Sequence, residues 1–236
     1  MKFKDISRLS ADKFFNKIPK NPVIVTNLFT HPWLSASRGL QDDFDLLIRD
    51  EYTANLIVPI EIQQPGVALS TDQRFEVPFG LFYKLFIQNE QKDKKGYLAQ
   101  YDLLSNSPYL SNLLPLIPHL RDLYAKSSSW LGPEGTLTPL HRDAISDSNI
   151  LLQLVGQKRV NIVDPVYSNL LDLHPSNSPL RNFSKQSAEY PKEGDFIVHT
   201  AILEPEESVY IPAGYYHSFK SLSRSFSVNF WFNLPK

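Results

Sequence analysis

At 236 residues, with 42% hydrophobic and 12% aromatic side chains, the chain is long enough to enclose one substantial core, and 18 prolines argue for short strands and loops rather than a helical bundle. The 24 basic and 25 acidic residues nearly cancel, which excludes a general attraction to nucleic acid, and the absence of cysteine excludes disulfides, thiolate zinc sites and cysteine nucleophiles. Residues 1–15 carry charges throughout and no apolar run approaches the roughly 20 residues of a membrane span, so the expectation is a soluble intracellular protein, cytoplasmic or nuclear, without a membrane partner.

Taken in chain order, Ser10 caps a short helix running to Lys17 and closed by Pro19. Residues 22–25 read as a buried strand, residues 44–48 as a helix, and residues 56–62 as a strand ended by a Pro65-Gly66 turn. Residues 79–87 suit a helix. Lys92, Lys94 and Lys95 are the one dense basic cluster and read as a solvated loop before a strand, while residues 110–124 read as turns and short helix broken by prolines. From Ser128 onward the texture is short strands, at 150–155, 158–163, 196–199, 208–211, 216–222 and 225–232. Gly156-Gln157 and Leu222-Ser223-Arg224 read as tight hairpins, which makes the strands mostly antiparallel neighbours. Residues 164–191 are longer than an ordinary connection, either a substrate-facing loop or an insertion without function.

The sharpest chemical signal is His141 and Asp143, followed by His217 after a Pro-Ala-Gly turn. In an extended strand alternate side chains share a face, so His141 and Asp143 point one way and Arg142 the other. Two imidazoles and one carboxylate form the ligand set of a non-haem Fe(II) facial triad, which leaves the other positions of an octahedral ion open. His31, His119, His174 and His199 lack a patterned carboxylate neighbour and read as surface or core residues, with His199, at the end of an apolar strand, the one alternative to His217.

With Tyr97-Leu98-Ala99-Gln100, Thr138-Pro139-Leu140-His141-Arg142-Asp143, Gly156-Gln157-Lys158, Tyr210-Ile211-Pro212-Ala213-Gly214 and Ser227-Val228-Asn229-Phe230-Trp231 in this order, the chain resembles the jumonji-C (cupin-like) family of Fe(II)- and 2-oxoglutarate-dependent oxygenases, in particular its small hydroxylase branch. The resemblance implies a mostly β fold with N-terminal α/β elements, built on a double-stranded β-helix or cupin-like jelly-roll barrel. We read residues 1–236 as a single catalytic domain, with residues 1–127 a helix and strand support and residues 128–236 the β-helix core. Fe(II), 2-oxoglutarate as cosubstrate and O2 follow from the same resemblance, as does a fixed cation for the far carboxylate of 2-oxoglutarate. Lys158 fills that place. Alternation along Lys158, Val160 and Ile162 turns it inward, on a strand expected to lie beside the His-x-Asp strand, and a buried lysine needs an anion. Tyr97 and Thr138 match the family's hydroxyl partners of that carboxylate. Asn149 and Asn229 match amides lining the site, although the stretch from Asp143 to Asn149 is two residues longer than the family's spacing, which leaves Asp147 or Ser148 as alternatives. Tyr215 and Tyr216 stand where the family often has tryptophans and are expected to pack beneath the metal.

The expected activity is hydroxylation of a macromolecule, most simply a protein side chain, with no catalytic residue beyond the metal site. Demethylation of N-methyl-lysine in histones or other proteins, and hydroxylation of a modified tRNA base, are alternatives within the class. The chain's size and lack of reader domains favour hydroxylation. A catalytically inactive cupin-fold binding protein is the rival from another class, and its mark would be loss of a metal ligand or of Lys158.

Overall fold

Successive residues of a strand face opposite ways, and in the C-terminal half of this chain both sets are largely apolar, so each strand has to be covered on two sides. In the computed structural model, which describes residues 1–29, 43–63, 74–88, 94–113, 124–143, 148–185 and 195–232, two facing sheets and an outer layer of helices provide that cover. The described strands are β1 Lys2–Asp5, β2 Arg8–Ser10, β3 Val23–Thr26, β4 Ile57–Gln63, β5 Arg74–Pro78, β6 Lys95–Tyr101 and β7 Tyr124–Gly132. They continue with β8 Leu137–Arg142, β9 Ser148–Val155, β10 Lys158–Val163, β11 Ile197–Leu203, β12 Ser208–Ile211, β13 Tyr216–Ser221 and β14 Ser225–Phe232. The large sheet has the order β2-β3-β12-β9-β14-β7-β6-β4-β5 and the small one β1-β11-β10-β13-β8.

From β7 to β14 the chain visits large, small, large, small, small, large, small and large sheet in turn. This is the double-stranded β-helix of a jelly roll. It corrects the expected hairpins: β9 and β10 lie in different sheets, as do β13 and β14, so Gly156-Gln157 and Leu222-Ser223-Arg224 are corners between sheets. The two corners interlock, because Leu222 N donates to Gln157 O at 2.8 Å and Gln157 N to Ser223 Oγ at 2.9 Å. Gly156 has φ +73°, and a Cβ there would overlap the Arg224 carbonyl oxygen, so the corner is built for glycine.

The alternation sorts the core into three clusters. Leu151, Val160, Ile162, Val209, Ile211 and Phe219 fill the space between the sheets. The residues that alternate with them on the large sheet, among them Ile150, Leu152, Phe226, Val228 and Phe230, pack outward against Phe14, Leu47, Phe82, Ile87 and Leu110 of the N-terminal elements. Those elements are α1 Ala11–Asn16, a 3-10 turn Asp43–Ile48, α2 Glu51–Asn55, α3 Phe79–Phe82 running into a π-helix Tyr83–Gln88, α4 Leu103–Asn106 and α5 Pro108–Leu113. Ser10 sits at the N-cap of α1 without a side-chain bond to it. A third cluster, Leu140, Val163, Val198 and Tyr216, lies on the outer face of the small sheet under Leu171 and Phe196. The N-terminal region also extends the sheets themselves, with β6 bonded to β7 and β3 to β12, which brings Tyr97 into the barrel. The Pro65-Gly66 turn, Lys92, His31, His119 and Asp147 lie outside the described residues.

Candidate metal centre

Thr138 and His141 both face the barrel interior although they are three residues apart, which regular alternation forbids. The register explains it: from Thr138 to His141 on β8, three steps oppose two on β13, from Phe219 to His217, so a β-bulge falls around Pro139 and Leu140. His141 and His217 are then directly opposite one another, with ring centroids 4.4 Å apart. Asp143, two residues past His141, follows on the same side, and Arg142 turns out over the Tyr216 ring.

His141 Nε2 lies 3.8 Å from Asp143 Oδ1 and His217 Nε2 lies 3.7 Å from Asp143 Oδ2. One donor atom from each of the three residues falls within 4.8 Å of the others. His141 Nδ1 meets the Pro139 carbonyl at 2.8 Å and His217 Nδ1 the Tyr215 carbonyl at 3.2 Å. A carbonyl only accepts, so both rings carry their proton on Nδ1 and leave the Nε2 lone pair for a metal. Burial, with the neighbouring His217, pushes the His141 pKa down to about 4, which keeps the ring neutral. Burial alone would raise Asp143, but the two imidazoles, the Trp231 side chain and the Asn149 amide outweigh it and hold the carboxyl below its usual range. Two imidazoles whose Nδ1 protons are turned to backbone carbonyls, together with a carboxylate, fit a ferrous ion.

Asn149 donates to Asp143 Oδ2 at 2.9 Å and accepts from Asn229 Nδ2 at 3.1 Å, so both predicted amides stand at the site. Ser148, the alternative, instead lies within 3.5 Å of the Tyr210 hydroxyl. Lys158 is 1% exposed and donates to Ser227 Oγ at 2.6 Å, with its ammonium 5.8 Å from the centre of the Tyr97 ring. Its strand is not beside β8, as the sequence suggested, because β13 lies between them. Lys158 stands four residues before Ile162, the residue opposite His217, or roughly 13 Å along the strand. Burial pushes its pKa down to about 7, and among the described residues its hydrogen bond goes to a hydroxyl rather than a carboxylate. Tyr97 Oη and Thr138 Oγ1 are 3.3 Å apart, and burial raises the Tyr97 pKa, which keeps the hydroxyl able to donate. Tyr97, Thr138, His141, Asp143, Asn149, Lys158, His217 and Asn229 all line one pocket.

Trp130, Leu151, Phe219 and Trp231 line the same pocket and were not singled out from the sequence. Ser227 and Trp231 are two residues either side of Asn229, so strand alternation alone would have found them; Trp130 enters only through its pairing opposite Ser227. Phe183 was also missed. Residues 182–184 add to the open edge of β8, with Arg142 N donating to Asn182 O at 3.0 Å and Ser184 N to Leu140 O at 2.8 Å. The Phe183 ring thereby stacks on His141, with centroids 5.1 Å apart and planes 18° apart. The long connection is thus packed against the metal strand as far as residue 185. Tyr216 departs from the expected place beneath the metal, since it belongs to the outer cluster, whereas Tyr215 packs in the inner cluster with its hydroxyl donating to Asp164 Oδ2 at 3.0 Å. His199 shares a row with His217, but Ile162 stands between them.

The sequence matches the cupin-like domain family over residues 12–236. It is 31% identical to JmjC domain-containing protein D of Dictyostelium discoideum, over 93% of this chain and 53% of that protein. It is 29% identical to Lysine-specific demethylase JMJ30 of Arabidopsis thaliana, over 96% of this chain and 54% of that protein. With 2-oxoglutarate and iron-dependent oxygenase JMJD4 of Gallus gallus the identity is 24%, over 92% of this chain and 56% of that protein. The chain spans about half the length of the curated relatives it matches. Eight strands shared between two facing sheets, a His-x-Asp and a distant His brought together between them, and a family match over almost the whole sequence place this chain in the cupin-like domain family, among its jumonji-C oxygenases.

Proposed function

We propose that the chain is an Fe(II)- and 2-oxoglutarate-dependent oxygenase that hydroxylates a carbon of a protein side chain. The observation that carries this reading is a pocket with a three-donor metal corner at one end and, at the other, a buried lysine whose hydrogen bond among the described residues goes to the Ser227 hydroxyl. A buried lysine is costly unless an anion meets it, and a short dicarboxylate reaching from the metal corner supplies one. The printed name of the Gallus gallus relative gives the same two cofactors. When bound, iron and 2-oxoglutarate supply the oxidant, the keto acid giving two electrons as it becomes succinate and carbon dioxide while one atom of O2 goes to the substrate.

The chain's own residues provide geometry. His141, Asp143 and His217 would hold the ion and leave its remaining positions for cosubstrate and oxygen. Lys158, Thr138 and Tyr97, which line the pocket together, would hold the far carboxylate of the cosubstrate with one charge and two hydroxyls. Leu151, Phe219 and Trp231 exclude water, and no side chain is required as acid or base. The complete set of metal ligands together with Lys158 argues against an inactive binding protein, and the near balance of charge argues against tRNA. We place the protein inside the cell, in cytoplasm or nucleus.

A second reading, N-methyl-lysine demethylation, is favoured by the name of the Arabidopsis thaliana relative. Against it, Asp143 is the one carboxylate among the described lining residues, and it faces the metal corner rather than an incoming methylammonium. The test is to incubate the purified chain with Fe(II), 2-oxoglutarate and protein extracts, and to search peptides by mass spectrometry for one added oxygen while assaying formaldehyde. Added oxygen without formaldehyde supports hydroxylation. Formaldehyde in proportion to succinate, with loss of a methyl group, replaces it by demethylation.

A further inference from the structure

The carboxylate ligand Asp143 is the end of a chain of hydrogen bonds that crosses the large sheet. Asn149 Nδ2 donates to Asp143 Oδ2 at 2.9 Å, Asn229 Nδ2 donates to Asn149 Oδ1 at 3.1 Å, and Trp130 Nε1 donates to Asn229 Oδ1 at 2.8 Å. The three side chains come from β9, β14 and β7, which are neighbours in that sheet. Trp130 is 8%, Asn149 4% and Asn229 1% exposed, so none of these bonds can be exchanged freely for bonds to water.

A carboxamide has nearly the same shape either way round, and a reversed Asn149 would turn its oxygen against the Asp143 carboxylate. Neither amide can settle its own direction. The two ends can, because the Asp143 carboxylate only accepts and the indole N–H only donates, and both demand the same polarity. With Trp130 donating, Asn229 must present Oδ1 to it, which turns the Asn229 NH2 to Asn149 Oδ1, which in turn directs the Asn149 NH2 to Asp143. Any other arrangement sets oxygen against oxygen or NH2 against NH2 at one link, and leaves buried groups unpaired.

We propose that Trp130 is a positioning residue for the metal site: its indole N–H fixes the polarity of the Asn229–Asn149 pair so that the Asp143 carboxylate is held by an N–H donor and aimed at the two imidazoles. The assignment rests on the reading of His141, Asp143 and His217 as metal ligands. Asp143 also receives a hydrogen bond from the Trp231 side chain, so cutting the relay weakens its hold without releasing it.

Co(II) is a suitable probe, because its visible d–d absorption reports the ligand set independently of turnover. Trp130→Phe keeps an aromatic ring against Tyr97, 6.1 Å away, and removes only the donor. Partners one step outside a metal's ligands are worth about 10–100-fold in affinity. Because Trp130 acts through two amides, the expected result in Trp130→Phe lies at the low end of that range, a Co(II) dissociation constant raised by roughly tenfold, with a shifted d–d band. Asn229→Leu, which cuts the relay one link further along while keeping the indole, should do the same and serves if Trp130→Phe does not fold. In an Asn149→Ala background the relay is already broken, so adding Trp130→Phe should cost less than about twofold more. An unchanged dissociation constant in Trp130→Phe, or an equal loss in both backgrounds, overturns the relay while leaving the metal site standing. Absence of any Co(II) band in the unmodified protein overturns the metal reading, and the relay with it.

Discussion

Replacing Lys158 by Met should make the protein more stable and useless for its cosubstrate at once. In the cofactor-free chain the buried ammonium has Ser227 as its hydrogen-bond partner, and a fall in pKa from 10.5 to about 7 means that keeping the lysine buried costs on the order of 4–5 kcal/mol at neutral pH. Between those two pH values the unfolded chain holds more protons than the folded one, so this burden is greatest below pH 7 and fades as pH rises toward 10.5. Met fills much of the same volume without charge. Losing the bond to Ser227 offsets about 1–3 kcal/mol, leaving a net gain of about 1–4 kcal/mol, or roughly 2–16 °C in melting temperature for a chain of this size. The far carboxylate of 2-oxoglutarate would then be buried without its cation, a loss of about 3–5 kcal/mol or roughly a hundredfold to a few thousandfold in affinity. The assay is an anaerobic titration of 2-oxoglutarate into the Fe(II)-loaded protein, following the visible charge-transfer band of keto acid chelation. In the unmodified protein affinity should weaken by up to tenfold per pH unit above about 7, because free Lys158 has lost the proton that the carboxylate needs. In Lys158→Met that dependence should vanish. An unchanged midpoint would show that the carboxylate is held by another lining residue, and a lower melting temperature would show that the buried lysine is not a burden on the fold.

Asp143→Ala should abolish both Fe(II) binding and succinate formation, measured by metal analysis after gel filtration and by succinate assay; turnover at the normal rate would remove Asp143 from the ligand set. Gly156→Ala should destabilise the fold by about 2–4 kcal/mol in urea denaturation, since both the positive φ and the Arg224 carbonyl oppose a Cβ; a cost below about 0.5 kcal/mol would mean that the interlocked corners are loose. Phe183→Ala removes the ring stacked on His141 and should lower coupling between succinate formation and substrate oxidation while leaving Fe(II) binding within about threefold, measured as the ratio of succinate to hydroxylated product; an unchanged ratio would make the stack structural only.

What the sequence made legible were the features governed by local periodicity. Residues 141 and 143 share a face because strands alternate, and the inward turn of Lys158 could be read from Val160 and Ile162 in the same way. What it hid were features that depend on pairing between distant strands. The bulge that turns Thr138 inward along with His141 exists only in the register of β8 against β13. Glycine and polar residues at 156–157 and 222–224 signal a turn, but a hairpin and a corner between sheets use the same residues, and the difference lies in which strands pair afterwards. Trp130 became part of the site for the same reason, since its distance from Asn229 in sequence conceals a 2.8 Å hydrogen bond. The place of Asn149 was obscured by the lengthened stretch after Asp143, and only the folded chain brings its amide to Asp143 Oδ2.

The central claim is that one pocket binds Fe(II) through His141, Asp143 and His217 and 2-oxoglutarate through Lys158, and uses both to activate oxygen. Succinate released from 2-oxoglutarate by the metal-stripped protein, with and without added Fe(II), tests this most directly. The account predicts succinate only when Fe(II) and O2 are both present, and none from the Asp143→Ala protein. Succinate formed without Fe(II), or none formed by the Fe(II)-loaded protein with 2-oxoglutarate, O2 and extracts containing its substrate, would contradict it.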